Sequence, residues 1–239
     1  MPSQDSILSR LSTGALELKG QFTWGSNYTF LVQVRQGDQT CGAVYKPERG
    51  ERPLWDFPEG TLARREVAAY AVSRALGWEL VPPTVLRADG PAGPGSLQLY
   101  VDADPERHYF AFSEAEKQRL RPVALFDLLI NNADRKGGHV LLGESDHLWL
   151  IDHGVCFHVD DKLRTVIWDF VGEPIPRELL AALRKARRSL DAGGGLHTEL
   201  SRLLSAEEVE ALRGRADRLL RSRRFPPPGE GRPYPWPLV

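Results

Sequence analysis

The stretch INNADRKGGHVLLGESDHLWLIDHG, residues 130–154, constrains this chain more than any other part of it. Two short apolar runs, HVLL and LWLID, flank the turn-rich GESD, which is the pattern of a β-hairpin. A hairpin brings its open ends together. Asp134 lies just before the first strand and Asp152 just after the second, so the spacing predicts two carboxylates converging on one cleft, with His139 between them in sequence.

The rest of the chain decides what surrounds that cleft. With 239 residues, 41% hydrophobic and 26% charged, it is long enough for one large domain or two lobes sharing a cleft. A net charge of -1 gives no global reason to expect nucleic acid or an anionic membrane as partner. Cys41 and Cys156, the only cysteines, make no disulfide framework, and MPSQDSILSR lacks the apolar core of a signal peptide, so a cytoplasmic location is expected. No apolar run approaches the roughly 18 residues of a spanning helix, so no integral membrane association is expected.

Alternation through YTFLVQV and CGAVYK, broken by RQGDQ, predicts antiparallel strands. EGTLARREVAAYAVSRALGW predicts a helix with Thr61 as N-cap and Gly77 at its end. VPPTVLRA and GSLQLYVDA read as two further strands, after which helices take over. The boundary falls near Asp102 to Asp104, giving an N-lobe of residues 1–103, a C-lobe of 104–225 and a proline-rich tail of 226–239. Within the C-lobe, Ser113 with Glu116 and Ser205 with Glu208 are capping boxes, and Pro122 divides the first helical stretch in two. Tyr234 and Trp236 in the tail are expected to dock on the body, and the tail also offers a surface to a protein partner.

Eight residues are the candidates for chemistry. Lys46 ends the strand CGAVYK and Glu66 sits early in the following helix, so the two are placed to face each other within one lobe. Upstream, KGQFTWGSNYTF puts Gly25 and Ser26 in a strand-to-strand turn whose backbone N–H groups and hydroxyl would cover a phosphate. It is not a GxxxxGK[ST] loop. Asp134, then His139 five residues on, then Asp152 past the hairpin, follows the spacing of kinase-like phosphotransferases, in which one Asp positions the acceptor hydroxyl and later side chains hold metal. Arg135 beside Asp134 adds positive charge.

At these residues the chain resembles the phosphatidylinositol 3- and 4-kinase superfamily, most closely the type II phosphatidylinositol 4-kinase branch and its small bacterial relatives. AVYKP is similar to the lysine strand, RREVAAYAVSRALGWELVPPT to the helix with the paired glutamate, and GSLQLYVD to the segment entering the hinge. LFDLLINNADRKGGHVLL resembles the catalytic loop and LWLIDHGVCFH the metal-binding strand end, a likeness covering roughly residues 15–175. The resemblance implies an α+β, two-lobed protein-kinase-like fold with a β-rich N-lobe, a mainly helical C-lobe and a catalytic β-hairpin. It implies ATP as cofactor with Mg²⁺ or Mn²⁺, and an acceptor hydroxyl that the sequence does not identify. Lys46 would contact phosphates, Glu66 would orient it, Asp134 would be the catalytic acidic residue and Asp152 would hold metal; Arg135 as a catalytic residue and His139 as a metal ligand rest on their positions in the sequence. Gln98, Leu99, Tyr100 and Val101 would frame the adenine through backbone groups. The family has asparagine where this chain has His139, and an imidazole suits Mn²⁺ better than hard Mg²⁺.

Two other readings compete. In one, the fold survives as a pseudokinase or nucleotide-binding module with weakened transfer. In the other, His139, His147, Cys156, His158 and an aspartate form the zinc site of a hydrolase.

Overall fold

The structure, a computed structural model, describes residues 3–22 and 27–239. It opens with a helix that the sequence reading did not anticipate, α1 (Gln4–Thr13), whose first turn is capped by the Ser3 hydroxyl accepting from Ser6 N–H. Strands β1 (Ala15–Phe22), β2 (Thr29–Gln36), β3 (Gln39–Pro47), β4 (Thr84–Gly90) and β5 (Gly93–Leu99) form one antiparallel sheet in the order β1-β2-β3-β5-β4. The alternation in the sequence puts Val32, Val34, Ala43, Tyr45 and Leu97 in a small core under the sheet, closed by Leu11 of α1. In the β3–β5 pairing Lys46 sits opposite Ser96. Beside it, a Cβ on Gly95 would stand 2.4 Å from the Lys46 carbonyl, so only glycine permits this approach.

Helix α2 (Leu62–Leu76) stops at Gly77, whose φ of 70° is the left-handed conformation glycine adopts without cost. Its start differs from expectation: the Thr61 hydroxyl donates to Pro58 O and caps no helical N–H. Almost the whole helix is buried because it lies between the sheet and the helical part. Ala68, Ala69, Tyr70, Val72 and Leu76 join the larger core built by the later helices, not the small core of the sheet. Arg65 fastens this arrangement. It is 1% exposed, and its guanidinium donates to Cys156 O at 2.6 Å and to Glu208 Oε1 at 2.5 Å.

The remaining elements are α3 (Glu114–Gln118), α4 (Arg121–Ile130), the hairpin β6 (Val140–Leu142) and β7 (Leu148–Leu150), α5 (Arg177–Ser189), α6 (Gly195–Leu200) and α7 (Ala206–Ser222). Both capping boxes form, and Pro122 opens α4 as the sequence predicts. No helix among the described residues is long and apolar enough to cross a membrane. The tail corrects one expectation: Tyr234 and Trp236 stay 46% and 75% exposed, and Pro235 between them is buried instead, along with docked backbone. Thr165 N–H and Trp168 Nε1–H both donate to Pro233 O, and Gly137 N–H donates to Leu238 O at 2.8 Å. Carbonyls before or near prolines have no neighbouring N–H to satisfy them in an extended run, so they seek donors on the body.

Removing Arg65 leaves Glu208 unpaired beside the core. Arg65→Ala is expected to lower the unfolding free energy by about 3 kcal/mol in urea titration; a loss below about 1 kcal/mol would show that the α2–α7 tie is dispensable.

Candidate active site

The register of β3, one turn of α2 and the end of the hairpin bring three charges to one point. The Lys46 ammonium contacts Glu66 Oε1 and lies 2.9 Å from Asp152 Oδ1. Glu66 is 3% exposed, and its second oxygen accepts from His153 N–H at 2.9 Å. That bond depends on the backbone at Asp152, which follows β7 with a φ of 62°. Aspartate tolerates the left-handed region better than most residues, and strain of this kind, about 1–3 kcal/mol, gathers at functional sites.

The electrostatics follow from that crowding. Burial, the largest influence on Lys46, pulls its pKa down, but Asp152 and Glu66 outweigh it and leave the amine firmly protonated. Burial likewise pushes Glu66 up, and Lys46 with the His153 contact brings it down to about 2. Lys46 is the main cause holding Asp152 well below the usual carboxylate range. Across the cleft Asp134 behaves oppositely: burial raises it to about 6, with Asp152 adding to the rise and Lys136 resisting.

His139 Nε2 stands 3.4 Å from Asp152 Oδ2, and burial lowers its pKa to about 4, so the ring is neutral at pH 7. Asp152 and neutral His139 make a suitable donor pair for a divalent ion with some transition-metal preference. One contact works against it. His139 Nδ1 faces Lys136 N–H at 3.4 Å, which favours the proton on Nε2, where it points to Asp152. Ligation through Nε2 requires the opposite tautomer and the loss of that long contact.

Arg135 supplies its charge from behind the cleft: it lowers Asp134, as expected of a neighbouring cation, but its side chain is fully buried. Its fork grips both oxygens of Asp127 and donates to Ile151 O at 2.9 Å and His139 O at 3.3 Å, while Nη2 meets His153 Nε2 at 2.9 Å. It therefore ties the catalytic-loop segment to the strand end that carries Asp152, and it acts as a positioning residue. The cation that does approach Asp134 is Lys136, at 3.4 Å from Oδ2, a residue the sequence reading passed over. Asp127 and Asn132 were missed as well. Asp127 is 0% exposed in an α4 that is otherwise apolar from Pro122 to Ile130, and a buried acid must have a partner, which was the available signal. Asn132 accepts from Asp134 N–H at 2.9 Å and so fixes the loop beneath the carboxylate.

In the hinge two of the backbone donors are already engaged. Leu99 N–H donates to Pro83 O and Tyr100 N–H to Gly42 O, while the Gln98 side chain bonds Thr84. Val101 N–H is the donor of this stretch with no acceptor among the described residues. Gly25 and Ser26 lie outside the described residues. The zinc reading fails on geometry. Among the described residues no three His, Cys, Asp or Glu side chains gather as ligands, since His147 bonds Glu79 O, Cys156 is buried and His158 packs on Phe57.

A five-stranded sheet over a helical lobe, with Lys, Glu and Asp meeting between them, defines a protein-kinase-like fold. Solved structures agree. The chain superposes on the Golgi casein kinase with Mn/ADP bound with a TM-score of 0.60 at 17% identity, over 91% of this chain and 74% of that one. It superposes on the Helicobacter pylori proinflammatory kinase CtkA with a TM-score of 0.56 at 12% identity, over 90% and 94%. No family model matches. By sequence the chain belongs to the family of Protein Rv2133c of Mycobacterium tuberculosis, with 43% identity over 99% of this chain and 97% of that protein. It is also 32% identical, over 78% of its length, to phosphatidylinositol 4-kinase gamma 4 of Oryza sativa subsp. japonica, and 26% identical, over 70%, to the protein of the same name from Arabidopsis thaliana. The chain spans only 39% and 37% of those two plant proteins. These likenesses reach the kinase-like superfamily and do not single out its type II branch.

Two outcomes follow. Arg135→Ala strands Asp127 in the core and is expected to cost about 3–5 kcal/mol of stability, whereas a cleft-facing arginine would cost little; urea unfolding separates these. Asp134 titrates near 6 in the fold against a usual 3.8, so the fold favours its protonated form, and its contribution to stability is full below about 3.8 and lost as pH rises through about 6. Asp134→Asn mimics the protonated form. It is expected to melt above the wild type at pH 7.5 and level with it at pH 4; equal melting at both would contradict the burial argument.

Proposed function

We propose that the protein is an ATP-dependent phosphotransferase that moves the γ-phosphoryl group to an acceptor hydroxyl, placed nearest the type II phosphatidylinositol 4-kinase branch of its superfamily and working in the cytoplasm. The observation that carries this reading is the Lys46 ammonium held between Glu66 and Asp152 while Asp134 stands apart with a raised pKa. Lys46 is fixed as a cation where nucleotide phosphates would lie, and Glu66 orients it. Asp152, with His139 beside it, would hold Mg²⁺ or Mn²⁺, which when bound neutralises charge on the phosphates.

Asp134 orients the acceptor hydroxyl and takes its proton as the oxygen bonds to the γ-phosphorus and the bond from that phosphorus to the bridging oxygen of ADP breaks. A carboxylate titrating near 6 is ionised at pH 7 and still basic enough to help. Lys136, 3.4 Å from Asp134, supplies positive charge beside the transferring group. The Golgi casein kinase solved with Mn/ADP supports pairing a nucleotide with a divalent metal on this fold. The names of the plant relatives support a phosphoinositide among candidate acceptors, alongside protein and small-molecule hydroxyls.

A second reading, a nucleotide-binding pseudokinase, has one observation in its favour: His139 stands where the resemblance to phosphatidylinositol kinases implies asparagine, and its contact with Lys136 N–H favours a proton on the nitrogen facing Asp152. Turnover separates the two.

Asp152→Ala is expected to abolish metal-dependent nucleotide binding. Asp134→Asn is expected to leave binding intact and lower release or transfer of γ-phosphate by about 10²-fold or more. Wild-type turnover should fall as pH drops through about 6, because Asp134 is then protonated. His139→Asn should shift metal preference toward Mg²⁺. Wild-type binding without any turnover, across both metals and added acceptors, would favour the pseudokinase.

A further inference from the structure

Away from the cleft, the tail roofs a cavity of about 530 Å³ against α7 and the segment that follows Asp152. Its size is that of a small-molecule site. Its charge is one-sided: five cationic side chains line it against two carboxylates, in a chain whose net charge is only -1. Two of the cations are already engaged, Lys162 with Asp56 and Arg218 with Asp161. The other three have no acidic partner among the described residues.

Arg215 forms the floor of this set. It is 4% exposed, with Nε donating to Leu129 O at 2.9 Å and Nη1 to His158 O at 3.1 Å. Nη2 is buried and has no acceptor among the described residues. A buried guanidinium with an idle donor is costly unless an anion or water meets it. Burial depresses its pKa to about 10, with Asp161 partly opposing that fall and Arg218 adding to it, so a further anion here offsets the cost of burial. Arg164 and Arg232 are exposed at the rim, one from the segment after Asp152 and one from the tail. Three guanidinium groups on three separate elements suit the several oxygens of a phosphate better than a single carboxylate.

We propose that this cavity binds a phosphate-bearing ligand, gripped at the rim by Arg164 and Arg232 and held from below by Arg215. The site stands apart from the nucleotide cleft and does not rest on the phosphotransferase reading. It is nevertheless joined to the catalytic loop, because Arg164 N–H donates to Asn132 O and Arg135 N–H donates to Arg164 O, both at 2.9 Å. The same ligand also bridges the tail to the body, next to the bond from Thr165 N–H to Pro233 O. Binding therefore orders the tail and the loop under Asp134 together.

The test uses the full chain without nucleotide and with chelator. Melting temperature is followed while inorganic phosphate is titrated against chloride at equal ionic strength. The wild type is expected to show saturable stabilisation with half-saturation on the order of millimolar. The double variant Arg164→Gln with Arg232→Gln, which alters only exposed side chains, should weaken it at least tenfold, and Arg188→Gln on the outer face of α5 should leave it unchanged. Phosphate bound at Lys46 would survive in the double variant, so an unchanged response there overturns the proposal, as does a wild-type response no larger than that to chloride. Co-sedimentation with phosphatidylcholine vesicles carrying phosphatidic acid assigns the source. Pelleting lost in the double variant identifies a lipid headgroup, and phosphate binding without pelleting identifies a soluble phosphate ester.

Discussion

One ammonium group organises the cleft. Lys46 comes from the sheet, Glu66 from α2 and Asp152 from the hairpin of the helical lobe, so a single cation links three parts of the chain that are far apart in sequence. Neither carboxylate is placed there cheaply. Glu66 is almost completely buried, and Asp152 holds a left-handed backbone so that His153 N–H can reach Glu66 while the Asp152 carboxylate faces Lys46. Remove the cation and two carboxylates repel in a partly dry space. The arrangement makes sense as a holder for a more highly charged guest than itself.

That cleft is held rigid by residues that never face it. Arg135 ties α4 through Asp127 to both ends of the hairpin, and Arg65 ties α2 to α7 and to the carbonyl of Cys156. Because α2 shares its core with the helical lobe, Glu66 is set from the C-lobe side, and the sheet brings Lys46 to it. The N-lobe anticipated over residues 1–103 is thus divided in its packing: its strands have their own small core, whereas its helix belongs to the larger one. Buried arginine forks do this well, since five donors in one plane can satisfy several carbonyls and a carboxylate at once.

Local signals in the sequence carried far, and long-range ones did not. The hairpin, both capping boxes, Gly77 and the break at Pro122 are written in neighbouring residues, and the order of Lys46, Glu66, Asp134 and Asp152 pointed to the cleft that brings three of them into contact or near it. The charge of Arg135 beside Asp134 was legible, but its burial was not, because that depends on Asp127, eight residues earlier, as its partner. Lys136 was overlooked for the complementary reason. The hinge segment 98–101 was legible as a crossing between lobes, but not that Pro83 and Gly42 would take two of its N–H groups. In the tail, aromatic residues suggested docking by Tyr234 and Trp236, and the structure instead buries Pro235 between them and uses the carbonyls of Pro233 and Leu238. Helix α1 went unnoticed although Ser3 is an ordinary N-cap.

The most direct measurement is calorimetric titration of ADP into the wild-type protein, once with Mn²⁺ and once with the metal chelated. A cleft built around a fixed ammonium and a metal-holding carboxylate predicts one ADP per chain with Mn²⁺ and a large loss of affinity without it. Absence of ADP binding under both conditions would contradict the assignment of Lys46, Glu66 and Asp152 to a nucleotide site.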